Sequence, residues 1–161
     1  ANRVIQLNEE INATELYEKL SKLGCELLEQ DLLKYLKGEI KPQEQDESNI
    51  TLAAKIEKEE SLLSWNLPAE TIHNRVRAFT MGPGTYVVFQ NKRLKIHKTK
   101  VQEKKSTGIA GEVVFVSSSE LQIQTLQGVI AILEVQPESK SKISIGDFLK
   151  STSLNKGDLF V

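Results

Sequence analysis

The spacing of apolar residues changes once along this chain, and that change limits the possible folds more than any other feature. Before Gly82-Pro83-Gly84, leucines recur every three or four residues, which is typical of amphipathic helices. After it, apolar and polar residues alternate, which is typical of strands with one buried face. Gly-Pro-Gly interrupts both kinds of element. The sequence therefore predicts a helical first half and a β second half.

The first half contains one long predicted helix. Asn12 and Glu15 have the spacing of a capping box, and leucines follow at 4-3-4 spacing from Leu16. Gly38 predicts the end of a helix of roughly 25 residues. A strand is predicted before it at Val4–Leu7. Since the chain begins at Ala1, close to this strand, and its one methionine is Met81, we expect a piece of a longer protein.

The second half begins with a short helix and continues as strands. Pro68 predicts the first turn of the helix, which stops before Gly82. A helical turn is also predicted around Gly146–Leu149. Five short strands, separated by turns, predict a small antiparallel barrel, closed or half-open. They are Tyr86–Phe89, Leu94–Ile96, Val113–Val116, Leu121–Ile123 and Val129–Val135.

The two halves differ in charge, although the net charge is only −1. Residues 1–65 carry 8 Lys and Arg against 14 Asp and Glu, which gives −6; residues 66–161 carry 13 against 8, which gives +5. The basic half is therefore the candidate for contact with a polyanion. Its densest basic stretch comprises Lys92, Arg93, Lys95, Lys98, Lys100, Lys104 and Lys105.

Strand alternation predicts how this basic stretch is displayed. Arg93, Lys95, His97 and Thr99 would share one face, and Leu94 would lie on the other with Ile96. A row of cations on one strand face can follow the phosphates of a nucleic acid. The same pattern is also compatible with an ordinary solvated strand face, and the charges alone do not separate the two.

Composition excludes several classes of protein. The chain is 39% hydrophobic and 27% charged, which is typical of a globular protein. It has no apolar run long enough for a membrane span, and we expect no export signal within these residues. The single Cys25 cannot form an internal disulfide, which favours a reducing compartment such as the cytoplasm.

Several segments resemble landmarks of the methionyl-tRNA formyltransferase family, in the family's order. Asn12–Leu20 followed by Leu23-Gly24 resembles the helix that closes the family's catalytic domain. Thr51–Glu60, with its Lys-Ile-x-Lys-Glu-Glu, is similar to the family's linker signature. Arg75–Phe79 and then Pro83–Tyr86 resemble the family's Arg-Ala-Phe-x-Pro-x-Pro-Gly-Ala segment. The remaining matches are Gly38, Pro42, Gln45–Glu47, Leu94–Ile96 and Asp147–Leu149.

The chain departs from the family pattern around the hinge. Thr80–Pro83 stands where the family has Asn-Pro-Trp-Pro, and Ser64-Trp65 where it has Asp-Trp. Leu52 replaces a tyrosine. The order of the landmarks is kept.

The resemblance implies three parts. Residues 1–38 would be the tail of a truncated α/β formyltransferase catalytic domain and residues 39–66 an interdomain linker. Residues 67–161 would be an OB-like C-terminal tRNA-binding domain. The implied fold is thus a mainly β C-terminal domain, a five-stranded OB-like antiparallel barrel, preceded by a long amphipathic helix and the linker.

The resemblance also implies a function for the full-length protein. It would transfer a formyl group from 10-formyltetrahydrofolate to the amino group of initiator methionyl-tRNA in translation initiation, as a monomer in the cytoplasm or an organellar matrix. The family's catalytic Asn, His and Asp belong to an upstream domain, and neither His73 nor His97 matches them. We therefore assign no catalytic, cofactor-binding or metal-binding residue to this chain and expect it to be inactive alone.

This chain would bind and position the initiator tRNA. The linker lysines could hold the acceptor arm, whereas the two helix arginines point about 200° apart and cannot both face one phosphate. The predicted tRNA-binding residues are Lys55, Lys58, Arg75, Arg77, Lys92, Arg93, Lys95, Lys98 and Lys100.

Two other functions compete with this one. The chain could come from another folate-dependent formyltransferase or hydrolase, but such a protein needs no basic barrel. It could also be a free-standing OB-type nucleic-acid-binding module. The leucine stripe of the first helix argues against that, because it needs a sheet to cover it.

Overall fold

The computed structural model describes residues 2–103 and 108–160, in two compact units, Ala1–Ile56 and Glu57–Val161. Each unit is described by itself. In the described residues, no helix has the length and apolar character needed to cross a membrane.

The first unit is built on helix α1, Ala13–Leu36. The Asn12 side chain accepts a hydrogen bond from the Glu15 amide, and the Glu15 carboxylate accepts one from the Asn12 amide, which forms the predicted capping box. Beyond Leu36, the Gly38 amide donates to the Tyr35 carbonyl and closes the helix. The predicted helix and both of its ends are confirmed.

The leucine stripe of α1 is only partly covered. None of the helix residues is buried: Leu16, Leu23 and Leu27 are half-buried and Leu20 is 51% exposed. Val4–Leu7 is not a strand, so that prediction is wrong: the segment is exposed or half-buried and pairs with no strand among the described residues. A single 3-10 turn, Glu47–Asn49, is capped by the Asp46 carboxylate and completes this unit.

The second unit combines one sheet with two short helices. A 3-10 turn, Lys58–Ser61, precedes helix α2, Ala69–Ala78, and a further 3-10 turn, Phe79–Met81. The strands are β1 (Thr85–Phe89), β2 (Lys92–Gln102), β3 (Val113–Val116), β4 (Leu121–Gln124), β5 (Val129–Pro137) and β6 (Ile143–Ser144). Helix α3, Ile145–Lys150, follows β6 directly.

All the strand pairings are antiparallel, in the order β1-β2-β5-β4-β3, with β6 on the free part of β5. The five predicted strands and the predicted fold class, an OB-like C-terminal domain after a long helix, are confirmed. Within residues 2–103 and 108–160, β1 and β3 do not pair, so the sheet is open. Strand β6 was not predicted, because two residues show no alternation.

The core lies on the inner face of this sheet. Ile72 and Val76 of α2 pack there with buried residues from all five long strands, such as Leu94 and Ile130. Phe160, near the C-terminus, is 1% exposed. Its ring stacks on Phe89 with centroids 4.5 Å apart and meets Trp65 edge-on at 6.1 Å. Aromatic pairs in these geometries add to the free energy of burial.

The segment before α2 is held against the sheet by its backbone. The Leu63 amide donates to the Tyr86 carbonyl at 2.9 Å, and the Leu126 amide donates to the Trp65 carbonyl at 2.8 Å. Leu63 and Trp65 are both buried. Residues 62–65 therefore pack as part of the second unit.

Candidate nucleic-acid interface

The outer face of β2 carries four cations that we call the cationic row: Arg93, Lys95, Lys98 and Lys100. All four are exposed, while Leu94, Ile96 and Thr99 between them are buried. Residues two apart on a strand are separated by about 6.6 Å, which applies to Arg93 and Lys95 and again to Lys98 and Lys100, so one strand displays two closely spaced pairs of charge. Strand β2 contains no acidic residue that could neutralise it.

An irregularity in the pairing of β2 with β5 places both halves of the row, Arg93 with Lys95 and Lys98 with Lys100, on the same face of the sheet. The ladder passes from the Ile96–Val135 pair to Lys98–Glu134 and then to Thr99–Ile132, so simple alternation breaks at His97. The prediction that Thr99 lies outward is therefore wrong: its side chain is 1% exposed and contacts His73 Nδ1 at 2.9 Å. The same break turns Lys98 and Lys100 outward beside Arg93 and Lys95.

The row is not neutralised by ion pairs within the part of the chain that the structure describes. The salt bridges found there are Lys34–Asp31, Lys142–Glu134 and Lys150–Asp147. None of them includes a member of the cationic row. The four side chains are thus available to an external anion.

Glu134 is the acidic residue paired with Lys98 across the sheet, but it forms its ion pair with Lys142 instead. Lys142 Nζ donates to Glu134 Oε2 at 2.7 Å. This hydrogen bond is the largest influence and lowers the pKa of Glu134; burial opposes it, and electrostatic interactions with Lys142, Lys98 and His97 lower the pKa further. Glu134 therefore remains a carboxylate at neutral pH, and Lys142 offsets the charge that it would otherwise place beside the row.

Sequence reasoning missed an aromatic contact on the same face. The Arg93 guanidinium carbon lies 4.7 Å above the centre of the Tyr86 ring, a cation–π geometry. Tyr86 pairs with Lys95 across the β1–β2 hairpin, and Lys95 pairs with Gln136 of β5. The sequence signal that could have predicted this contact is the two-residue turn Gln90-Asn91, since the length of a hairpin turn determines which residues of the two strands face each other.

The other predicted RNA contacts lie at several places. Lys92 is exposed at the start of β2. Lys58 is exposed in the 3-10 turn before β1, and Lys55 is exposed in the first unit. Arg75 and Arg77 are half-buried on α2, where Arg77 Nε donates to Asn74 Oδ1 at 2.9 Å. Lys104 and Lys105, part of the basic stretch, lie outside the described residues.

The two histidines make separate contacts. His73 contacts the buried Thr99, and His97 Nε2 lies 3.0 Å from Gln136 Oε1. Across residues 2–103 and 108–160, no three His, Cys, Asp or Glu side chains are placed to share a metal ion. The described surface thus defines an OB-like β domain with a cationic outer face.

Comparison with known proteins agrees with this description. The family model for the formyl transferase C-terminal domain matches residues 55–153. A methionyl-tRNA formyltransferase from Bdellovibrio bacteriovorus is 41% identical over 97% of this chain and 50% of its own length. One from Syntrophomonas wolfei is 35% identical over 96% of this chain and, again, 50% of its own length.

A solved structure shares the fold. A variant of HypX from Aquifex aeolicus superposes with a TM-score of 0.64 at 21% identity, over 93% of this chain and 28% of that chain. At this identity the similarity concerns the fold alone.

This chain belongs to the formyl transferase C-terminal domain family. It spans about half the length of the curated methionyl-tRNA formyltransferases that it matches, and the resemblance to that family, predicted from its landmarks, is confirmed.

Proposed function

We propose that this chain is the tRNA-binding half of a methionyl-tRNA formyltransferase. The full-length protein would transfer the formyl group of 10-formyltetrahydrofolate to the methionyl amino group of initiator tRNA at the start of translation. It would act as a monomer in the cytoplasm or an organellar matrix. Residues 1–38 would end the catalytic domain, 39–66 would be the linker and 67–161 the tRNA-binding domain.

The cationic row is the observation that carries this proposal. Its four side chains share one face and have no ion-pair partner in the described residues. Lysine and arginine in such a line bind phosphates and release counterions, whatever the base sequence. The row would therefore position tRNA, and selection of the initiator would depend on other contacts.

The remaining predicted residues would extend this surface. Lys92 precedes Arg93 directly at the hairpin end of β2, where it would contact RNA from the edge of the sheet rather than from the face of the row. Lys58 lies in the 3-10 turn just before Leu62, which bridges to Tyr86 of β1. Lys55 would contact RNA from the linker. Arg75 and Arg77 are half-buried, so we expect them to contribute less than the four residues of the row.

Single substitutions test the proposal. Arg93→Ala and Lys95→Ala should each weaken binding of the purified chain to initiator and elongator tRNAs to the same extent. Each should reduce the slope of log affinity against log salt by about 0.7 to 0.9. Lys156→Ala is the matched control, because Lys156 is exposed and distant in sequence from the row.

Filter binding at two salt concentrations measures both effects. If Lys95→Ala and Lys156→Ala behave alike, the row is an ordinary solvated surface, and the proposed tRNA contact is wrong.

A further inference from the structure

A short apolar strip borders the cationic row on the outer face of the second unit. We define it as Leu62, Tyr86 and Val88. Tyr86 and Val88 alternate with the buried Thr85 and Val87 on β1, so both point outward. Leu62 forms a parallel bridge with Tyr86 and therefore lies beside it on the same face. Leu62 is 46% exposed and Val88 is 41% exposed.

The strip and the row meet at one pair of side chains. Arg93 is placed over the Tyr86 ring at 4.7 Å, and Lys95 is the direct cross-strand neighbour of Tyr86. Arg93 itself is exposed. The pair thus presents the Arg93 guanidinium backed by the Tyr86 ring, with a further charge, Lys95, two residues along the strand.

The chemistry of this surface distinguishes between forms of RNA. A duplex presents phosphates and ribose outward while its bases are stacked inside, so it would use the row and leave the strip in water. Unpaired nucleotides offer both phosphates and free base faces. Such bases stack on aromatic rings and on arginine planes, and their phosphates need cations at nearby positions.

We propose that the apolar strip and the cationic row together bind unpaired nucleotides of RNA. One base stacks on the Tyr86–Arg93 pair, its neighbour packs against Leu62 or Val88, and the connecting phosphates lie on Lys95 and Lys98. This inference rests on the proposed function, because it identifies the part of an RNA that the row receives.

Two probes separate base stacking from phosphate contact. One is a short oligoadenylate, and the other is an abasic ribose-phosphate strand of the same length. The full chain should bind oligoadenylate more tightly by about 5- to 150-fold, the factor that corresponds to the stacking free energy of one base. Tyr86→Leu should bring this ratio close to one and leave affinity for the abasic strand and the salt slope unchanged.

Three further variants make the comparison specific. Tyr86→Phe keeps the ring and should keep the ratio. Arg93→Lys keeps the charge and loses the plane, so it should lower the ratio at an unchanged salt slope, and it remains informative if Tyr86→Leu does not fold. Phe115→Leu is the matched control, since Phe115 is 39% exposed on β3, at the other end of the strand order.

The outcomes are distinguishable. If the unaltered chain binds both strands equally, or if Tyr86→Leu and Phe115→Leu give the same ratio, the stacking site is wrong. The phosphate surface would still stand if substitutions in the row weaken binding of both strands. If neither strand binds and tRNA binding does not depend on the row, the proposed function fails as well.

Discussion

Gly111 lies where the C-terminal segment closes over Trp65, and its replacement by alanine tests that packing. Its φ is +92°, a region that residues with a side chain rarely adopt. A Cβ atom there would lie 3.0 Å from the Phe160 carbonyl oxygen and 3.2 Å from Trp65 Cδ1. The backbone cannot easily move away, since the Gly111 amide donates to Gln124 and the Gly111 carbonyl accepts from Phe160, both at 2.8 Å.

Two costs add for Gly111→Ala. The backbone conformation costs about 1–2 kcal/mol for a residue with a Cβ atom. The close contacts add about 1–3 kcal/mol, as in other overpacked sites. We therefore expect a loss of about 2–5 kcal/mol in the free energy of unfolding. Gly157→Ala is the control, because its φ is +94° but nothing lies within 4 Å of its Cβ position. Only the backbone cost, about 1–2 kcal/mol, applies there.

Urea unfolding followed by tryptophan fluorescence measures both variants. Trp65 is the one tryptophan of the chain and is buried in the second unit, so its emission reports on that unit. Equal losses for Gly111→Ala and Gly157→Ala would show that the carbonyl of Phe160 and the ring of Trp65 do not confine Gly111.

Three other results are expected. Asn12→Ala removes the cap of α1 and should lower far-UV helical ellipticity by destabilising that helix by about 1 kcal/mol, whereas Asn66→Ala should not. The pKa of Glu134 lies below its ordinary value of 4.5, so its pairing with Lys142 stabilises the fold above that pH and is lost as the pH falls through the lowered pKa. Glu134→Gln should flatten this acid dependence of the urea midpoint, and parallel curves for the two proteins would contradict it. The purified chain should formylate no methionyl-tRNA when given 10-formyltetrahydrofolate, and activity that co-purifies with it through successive columns would contradict this.

Local signals predicted most of the fold correctly because they act over a few residues. The Asn12–Glu15 capping box and Gly38 define α1, and Gly82-Pro83-Gly84 separates α2 from β1. Alternation around Leu94 and Leu121 identifies the strands that carry them. Each of these signals depends on neighbours within one turn of helix or one strand.

The errors and omissions depend on contacts between distant residues. Val4–Leu7 has strand-like composition, but a strand needs a partner, and the described chain supplies none. The orientation of Thr99 and Lys98 is set by the irregular pairing of β2 with β5, which the sequence of β2 alone does not show. The order β1-β2-β5-β4-β3 is likewise a property of the whole sheet.

The candidate site was predicted in part for the same reason. The basic stretch is visible in the sequence, and its exposure follows from strand alternation at Arg93 and Lys95. The pairing of Arg93 with Tyr86 and of Lys142 with Glu134 joins residues from different strands and loops. Such pairs become visible only when the register is known.

The salt dependence of tRNA binding tests the central claim most directly. It should be measured for the unaltered chain and for a variant with all four residues of the cationic row changed to alanine. If each cation contacts one phosphate, the slope of log affinity against log salt should fall in magnitude by about 2.8 to 3.6. A variant that keeps the full slope, with Trp65 fluorescence showing an intact fold, would contradict the assignment of this surface to RNA.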